Sequence, residues 1–578
     1  MRRVLGPAGV ALAMAGAACG GAHGPSTPDA GWGPVVLASV PARPRGLLLE
    51  AVLRDPDAAW SRLQEGAGGA FAVLPPALGP LVCAALGVDR DLGALVDGHA
   101  AAYGVVVQRA GAAPAPGGAG DVGWAVALRL TADGARKATS MQSAARPAGF
   151  DQRLEGGMDI LTRPDSPLPV ALAIAQGWLV VASDERDLLE SGPYVIGALP
   201  APPASVSLSA AASFVALASH VALVGPVSAA LSSRWDAARV WLLEQGRVER
   251  DRHGGRPPDF ADPEAIVAAL ESAIRRGLAS TFRDRDLRIE GEVGADDVTV
   301  EVRAVMSDAS ASVTGDASAS TPALGDALPL GDVPVDVPLA VLVRSDAAER
   351  AETAHALTNA LAEVLGSRMR DEQATAVASA LAGWGRARGD WMALGPARVP
   401  EGGFWVRAPA AAAATVDVAP RAIHELLALS RLPPLRDPLA NWLHRLPVVF
   451  GPPAGKASTA NFPAAGGAPA PVAGVTWAMD GGELTIGAGA HPLQRMADVT
   501  SPGARWSDEP RTARVLADLG DSTSLAALAQ PLRLGVAGAH VTSAPLAFAW
   551  GRKGGDPWAR VDIADELLAA GVRLSAGF

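Results

Sequence analysis

Residues 286–305 read Asp-Leu-Arg-Ile-Glu-Gly-Glu-Val-Gly-Ala-Asp-Asp-Val-Thr-Val-Glu-Val-Arg-Ala-Val, and they decide the fold class. Leu287, Ile289 and Val293 alternate with Arg288, Glu290 and Glu292. Beyond Gly294-Ala295-Asp296-Asp297, Val298, Val300 and Val302 alternate with Thr299, Glu301 and Arg303. Successive side chains on a strand point to opposite faces, so a period of two with one charged face means two half-buried strands. The Gly- and Asp-rich turn between them makes the pair an antiparallel hairpin. Its carboxylates line a solvated face on this pattern and are not expected to act as a catalytic pair.

Upstream of the hairpin, strand-like runs alternate with helical segments. Gly46 to Val52 is apolar apart from Glu50, and Asp55-Pro56 then opens a helix carrying Trp60 and Leu63, with Asp as cap and Pro in the first turn. The Pro/Gly/Ala stretch 110–121 is a loop; Gly123 to Leu130 is a strand, and a helix runs from Thr131 through Met141. Leu161 to Arg163, Val170 to Ile174 and Gly177 to Ala182 read as extended, followed by a turn and helix from Ser183-Asp184-Glu185. Trp235 to Glu249 and a segment capped by Asp262-Pro263-Glu264 are expected helices, the latter with Ile266, Val267, Leu270, Ile274 and Leu278 on one face. Ala210 to Ser232 has no formal charge, but His220, Pro226 and several serines argue against a membrane span. A kinked, buried or interfacial helix is predicted there. Met306 to Pro338, rich in Ser, Ala, Asp and Pro without apolar period, reads as a disordered linker.

Downstream of that linker the pattern restarts. Leu47 to Gln64 matches Leu339 to Leu365, and Gly123-Trp124-Ala125-Val126 matches Gly403-Phe404-Trp405-Val406, which precedes a helix near Arg421 to Leu429. Ala175 to Val181 matches Met479 to Ile486, both strand, tight turn, strand. Ser205-Val206-Ser207-Leu208 matches Ser522-Thr523-Ser524-Leu525, and the Leu287 to Val305 hairpin matches Pro545 to Ile563. The expected fold is therefore α+β: two tandem units, read as a duplication, with mainly antiparallel sheets and flanking helices. The expected boundaries are a leader at 1–18, a tether at 19–44, a first unit at 45–305, a linker at 306–338 and a second unit at 339–578. This arrangement resembles, in style, bacterial envelope proteins of unknown function with repeated α+β units, a likeness that supplies no site residues.

The N-terminus carries the address. Arg2 and Arg3 form a short positive region, and Val4 to Ala18 is small and apolar, too short for a permanent span. Gly16-Ala17-Ala18-Cys19-Gly20 resembles the lipobox of bacterial lipoproteins, although Gly16 stands where that family usually has Leu. The resemblance implies diacylglycerol on the sulfur of Cys19 and cleavage before it. Secretion with cleavage nearby and a misread start are the other two explanations of this leader. Residues 20–34, rich in Gly and Pro, cannot bury enough surface to fold and behave as a tether. Gly20, where inner-membrane retention signals often have Asp, points to the outer membrane, facing the periplasm.

Composition sets further bounds. The chain has 578 residues, 49% hydrophobic and 19% charged, enough for large cores. Its net charge of −11 and the absence of a dense Lys/Arg run argue against a nucleic-acid partner. Of the two cysteines, Cys83 sits in an apolar helical stretch and reads as a small hydrophobe.

Several motifs fail on inspection. Val449-Phe450-Gly451 through Gly455-Lys456 has three residues between its glycines and Ala457 after the lysine, where a phosphate loop needs four and a hydroxyl. Gly118-Ala119-Gly120-Asp121-Val122-Gly123 precedes a strand, whereas a dinucleotide fingerprint opens a helix. His424-Glu425 begins like a zinc helix, but Ala428 stands in place of the second His. No catalytic residue, cofactor or metal site is assigned. Trp124, Trp178, Trp405, Trp477 and Trp550 lie in strands and read as core, with a Trp-lined groove as the sharper alternative. The expectation is a membrane-anchored envelope lipoprotein that binds or scaffolds an envelope protein or apolar ligand without catalysis. An envelope hydrolase with a site built from distant residues, or a carrier of apolar ligands, stands as the alternative.

Overall fold

The structure is a computed structural model that describes residues 41–68, 74–85, 93–109, 122–137, 151–155, 158–162, 171–200, 213–219, 285–294, 296–306, 329–365, 369–396, 404–411, 418–429, 449–450, 457–462, 473–480, 482–490, 504–519, 522–533, 544–553 and 556–576, with residues 240, 244, 432 and 499. The chain divides into two compact units: Met1–Ser233 with Thr281–Thr314 and Arg560–Phe578, and Arg234–Ser280 with Gly315–Ala559.

In the first unit the strands are β1 (Leu47–Leu53), β2 (Ala102–Gln108), β3 (Val122–Arg129), β4 (Asp151–Glu155), β5 (Met158–Thr162), β6 (Ala171–Ala175), β7 (Trp178–Ala182), β8 (Phe214–Ala218), β9 (Arg285–Val293) and β10 (Asp297–Met306). They pair antiparallel in the order β4-β5-β6-β7-β3-β2-β1-β8-β9-β10. Helices α1 (Pro56–Ala67) and α2 (Leu78–Ala85) cover one face, where Trp60, Leu63 and Leu78 pack with Val126 and Leu128. On the other face α3 (Glu185–Gly197) packs Leu188, Tyr194 and Val195 against Ala125, Ala127 and Val180. Covering both faces explains why the central strands are apolar almost throughout, with every residue of β7 buried.

The second unit contains β11 (Leu339–Arg344), β12 (Trp391–Pro396), β13 (Phe404–Pro409), β14 (Val449–Phe450), β15 (Ala457–Phe462), β16 (Ala473–Asp480), β17 (Glu483–Ala490), β18 (Thr523–Ala529), β19 (Leu546–Lys553) and the start of β20 (Asp556–Ala564). Their order is β14-β15-β16-β17-β13-β12-β11-β18-β19-β20, again antiparallel wherever the register is described. Adding ten to each strand number of the first unit reproduces this order. Its helices are α4 (Ala347–Leu365), α5 (Asp371–Ala387), α6 (Val418–Ala428) and α7 (Pro510–Leu519). Trp405 of β13 packs with Val515 and Leu516 of α7, while its neighbours Phe404 and Val406 face Ile423 and Leu427 of α6.

Local backbone detail repeats as well. The β6–β7 turn places Gln176 at φ 52° and Gly177 at φ 77°, between the paired Ala175 and Trp178. That is the left-handed pair a two-residue hairpin needs, and Gly482 at φ 85° fills the second position of the β16–β17 turn. Val96 bridges Leu130, and Arg388 bridges Ala410. Around those bridges, Asp97 N–H donates to Arg129 O as Gly389 N–H does to Pro409 O, and Thr131 N–H donates to Leu95 O as Ala411 N–H does to Ala387 O. Leu130 N–H reaches Gly177 O, and Ala410 N–H reaches Gly482 O.

Four expectations change. The apolar segment 210–232 supplies strand β8 at Phe214–Ala218, not a helix, because it is inserted between β1 and β9; residues 220–232 lie outside the described set. In strand order β8 holds beside β1 the place that β18 holds beside β11, where Ser205 to Leu208 was expected; residues 201–212 also lie outside the described set. The proposed linker is shorter than 306–338: Met306 ends β10, Pro329–Asp332 form a 3-10 turn, and Leu330, Val333 and Val337 are buried in the second core. Finally, residues 560–578 belong to the first unit. There β20 lies beside β10, Thr299 Oγ1 donates to Asp562 Oδ1 at 2.7 Å, and α8 (Asp565–Ala576) packs on α1. The helices expected at 235–249 and 262–278 fall outside the described residues except 240 and 244.

Candidate functional site

Among the described residues a cluster of buried arginines lies in the second unit, where β11 hands over to α4. Asp346 opens that helix: its Oδ1 accepts Glu349 N–H at 2.8 Å while Glu349 Oε2 accepts Asp346 N–H at 3.1 Å. This reciprocal cap fixes the first turn and sets Arg350 inward, 8% exposed. From there Arg350 Nε donates to Gly385 O at 2.7 Å, near the end of α5, and Nη1 donates to Ser345 O at 2.6 Å and Asp390 Oδ1 at 3.2 Å.

Arg388 follows the last turn of α5, with its N–H on Trp384 O, and is 7% exposed. Its Nη2 donates to Ser345 Oγ at 3.0 Å and its Nη1 only distantly to Gly389 O at 3.4 Å. Among the described residues it has no ion-pair partner. Burial, then the like charge of Arg350, pull the Arg388 guanidinium down to about 10, with Asp390 partly offsetting them. The Asp390 side chain is 58% exposed and holds Arg350. Among the described residues two guanidiniums stand against one carboxylate, leaving one positive charge without a counter-ion. A buried charge without a partner is costly, so the cluster is poised to accept an anion. Arg344, one residue before Ser345, is also buried and donates to Thr523 O at 3.3 Å.

A second polar island sits inside the first unit. Glu50 of β1 is fully buried; Tyr194 donates to its Oε1 at 2.7 Å and Arg43 Nε to the same atom at 3.2 Å. Its other oxygen, Oε2, is buried without a hydrogen-bond partner. A third cluster joins Ser183, Asp184, Asp187 and Arg109 at the start of α3. Arg109 ion-pairs Asp187 and Asp184, and Ser183 Oγ accepts Trp124 N–H at 2.9 Å and stands within hydrogen-bond reach of Asp187 and of Trp124 O. Those bonds raise Arg109 above its ordinary value, the hydrogen bond to Asp187 contributing most. The cluster ties β2 and β3 to a helix start.

Cys19 lies outside the described residues, and the side chain of Cys83, on α2, does so too. The hairpin carboxylates form an ion-pair ladder: Arg288 Nε donates to Glu290 Oε1 at 2.6 Å, and Arg303 pairs with Glu301. His424 stands edge-on to Trp477 with centroids 5.2 Å apart, and Glu425 Oε1 accepts Arg421 Nε at 3.1 Å. Trp178, Trp405 and Trp477 are buried in cores, and Trp178 also lies beneath the Arg129 guanidinium. Of the false phosphate loop only Val449 and Phe450 are described, as β14, and of the false dinucleotide fingerprint only Val122 and Gly123, which begin β3. Among the described residues no three His, Cys, Asp or Glu side chains gather as metal ligands, and no helix is long and apolar enough to cross a membrane.

The arginine pair escaped the sequence because Ala387-Arg388-Gly389-Asp390 looks like any helix end. In the first unit the bridge to the residue after β3 is made by apolar Val96, whereas in the second unit the bridge to the residue after β13 is made by Arg388. No family model, curated protein or solved structure matches the chain.

Proposed function

We propose that this chain is an exported bacterial envelope lipoprotein, anchored by lipid on Cys19, whose two α+β units are a duplication with a non-enzymatic binding role. The carrying observation is the order of the N-terminal sequence: Arg2-Arg3, a short apolar run, Ala17-Ala18-Cys19-Gly20, and then a Gly/Pro tether leading to the folded body. A single diacylated terminus followed by a flexible segment lets a globular body work beside a membrane without spanning it. Gly20 directs the anchor to the outer membrane, with the body in the periplasm.

Support for the duplication comes from the shared strand order and from the paired bridges at Val96 and Arg388. Support for binding without catalysis comes from how the polar clusters are used. The Ser183 hydroxyl lies against Asp187, whereas the Arg350–Arg388 pair offers donors and positive charge. The test is to replace Cys19 with Ser and fractionate cells. The reading expects loss of lipid labelling and release of the variant into the soluble envelope fraction. An unlabelled wild type, with the variant still fully membrane-bound, refutes it.

A further inference from the structure

We propose that Arg388, Arg350 and Ser345 form a binding site for one carboxylate group of a small organic acid, where β11, α4 and α5 meet. The site lies in the second unit alone; its loss would leave the Cys19 anchor untouched, and the reverse also holds.

Charge comes first. Among the described residues the charges acting on Arg388 are Arg350 and Asp390, so one positive charge is left over. One carboxylate balances it, whereas a phosphate dianion would set surplus negative charge beside Asp390. Donor geometry comes second. Arg388 spends one nitrogen on a hydroxyl and makes only a 3.4 Å contact with the other, so a better acceptor is available to a planar guanidinium fork. Access comes third. Arg388 is nearly buried while Asp390 beside it is open to solvent, a placement that favours a small terminal group over a bulky one. The fold does not require the charge: Val96 makes the equivalent bridge in the first unit and packs against an apolar core.

The experiment is thermal unfolding of the full chain in sodium acetate, sodium phosphate or sodium chloride at matched ionic strength. Acetate is expected to raise the wild-type midpoint saturably by about 2–4 °C over chloride, since a ligand that binds only the folded state stabilises it. Phosphate is expected to do less. Arg388→Leu is expected to lose the acetate response. Arg388→Lys, which keeps charge without the fork, and Ser345→Ala are expected to weaken it. A short peptide with a free C-terminus, compared with its amide, separates a free acid from a chain end as the source of the carboxylate; no response to the free peptide, alongside the acetate response, supports the small acid, and a response at least as large as that to acetate overturns it. Acetate acting no better than chloride on wild type, or equally on Arg388→Leu, overturns the site. If Arg388→Leu does not fold, unchanged acetate responses in both other variants overturn it. A larger rise with phosphate than with acetate overturns the single-carboxylate assignment.

Discussion

Val96 and Arg388 hold the same backbone position in their respective units, each bridging the residue that follows the third strand of its sheet, Leu130 and Ala410. One is apolar and packed; the other is a buried guanidinium without an ion-pair partner among the described residues. In chloride buffer Arg388→Leu is therefore expected to be neutral or to stabilise, by up to about 2 kcal/mol, because it removes an uncompensated buried charge. Urea denaturation of the full chain measures this. A loss of more than about 1 kcal/mol would mean that the guanidinium is structural.

Glu50 and Tyr194 give the converse case. Tyr194→Phe removes the hydroxyl that serves a fully buried carboxylate and is expected to cost about 1–3 kcal/mol. Glu50→Met removes the carboxylate with its unpartnered Oε2 and is expected to cost less. In the double variant the Tyr194→Phe cost should shrink, which a double-mutant cycle reads directly. Additive costs would show that the two groups do not interact.

The return of residues 560–576 to the first unit can be tested at a glycine. Gly66 lies in α1, where Ala is normally the better helix former by about 1 kcal/mol. Here a Cβ would overlap the buried carboxylate of Asp565 at the start of α8. Gly66→Ala is expected to destabilise by about 1–3 kcal/mol. A gain in stability would mean that α8 does not rest on α1.

Asp562 probes the same return from the strand side. It is buried, accepts Arg560 through both oxygens at 2.8–3.0 Å, and takes the Thr299 hydroxyl. Asp562→Ala leaves a nearly buried guanidinium without that carboxylate and is expected to cost about 3 kcal/mol, against about 1 kcal/mol for Thr299→Val. Equal costs would show that the arginine pair contributes nothing beyond the hydroxyl bond.

How legible these features were depends on the range of the interaction. The Leu287–Val305 hairpin was readable because alternation and turn chemistry are local, and Leu287, Val293, Val298 and Ala304 are indeed its buried side. The positive-φ turn at Gln176-Gly177 was readable for the same reason. Phe214–Ala218 was misread because a strand buried on both faces carries no alternation and looks like part of an apolar helix. The destination of Arg560–Ala564 could not be read at all. The hairpin was visible, but strand partners hundreds of residues apart leave no local trace. The arginine cluster depends on the same long-range closure, since Ser345, Arg350 and Arg388 meet only after α4 and α5 fold back.

The lipid anchor proposed at Cys19 is tested most directly by mass spectrometry of the N-terminal peptide from detergent-extracted protein. The expected chain begins at Cys19, lacks residues 1–18, and carries a diacylglycerol mass on the cysteine. A chain that begins elsewhere, or an unmodified Cys19 inside a longer N-terminal peptide, contradicts it.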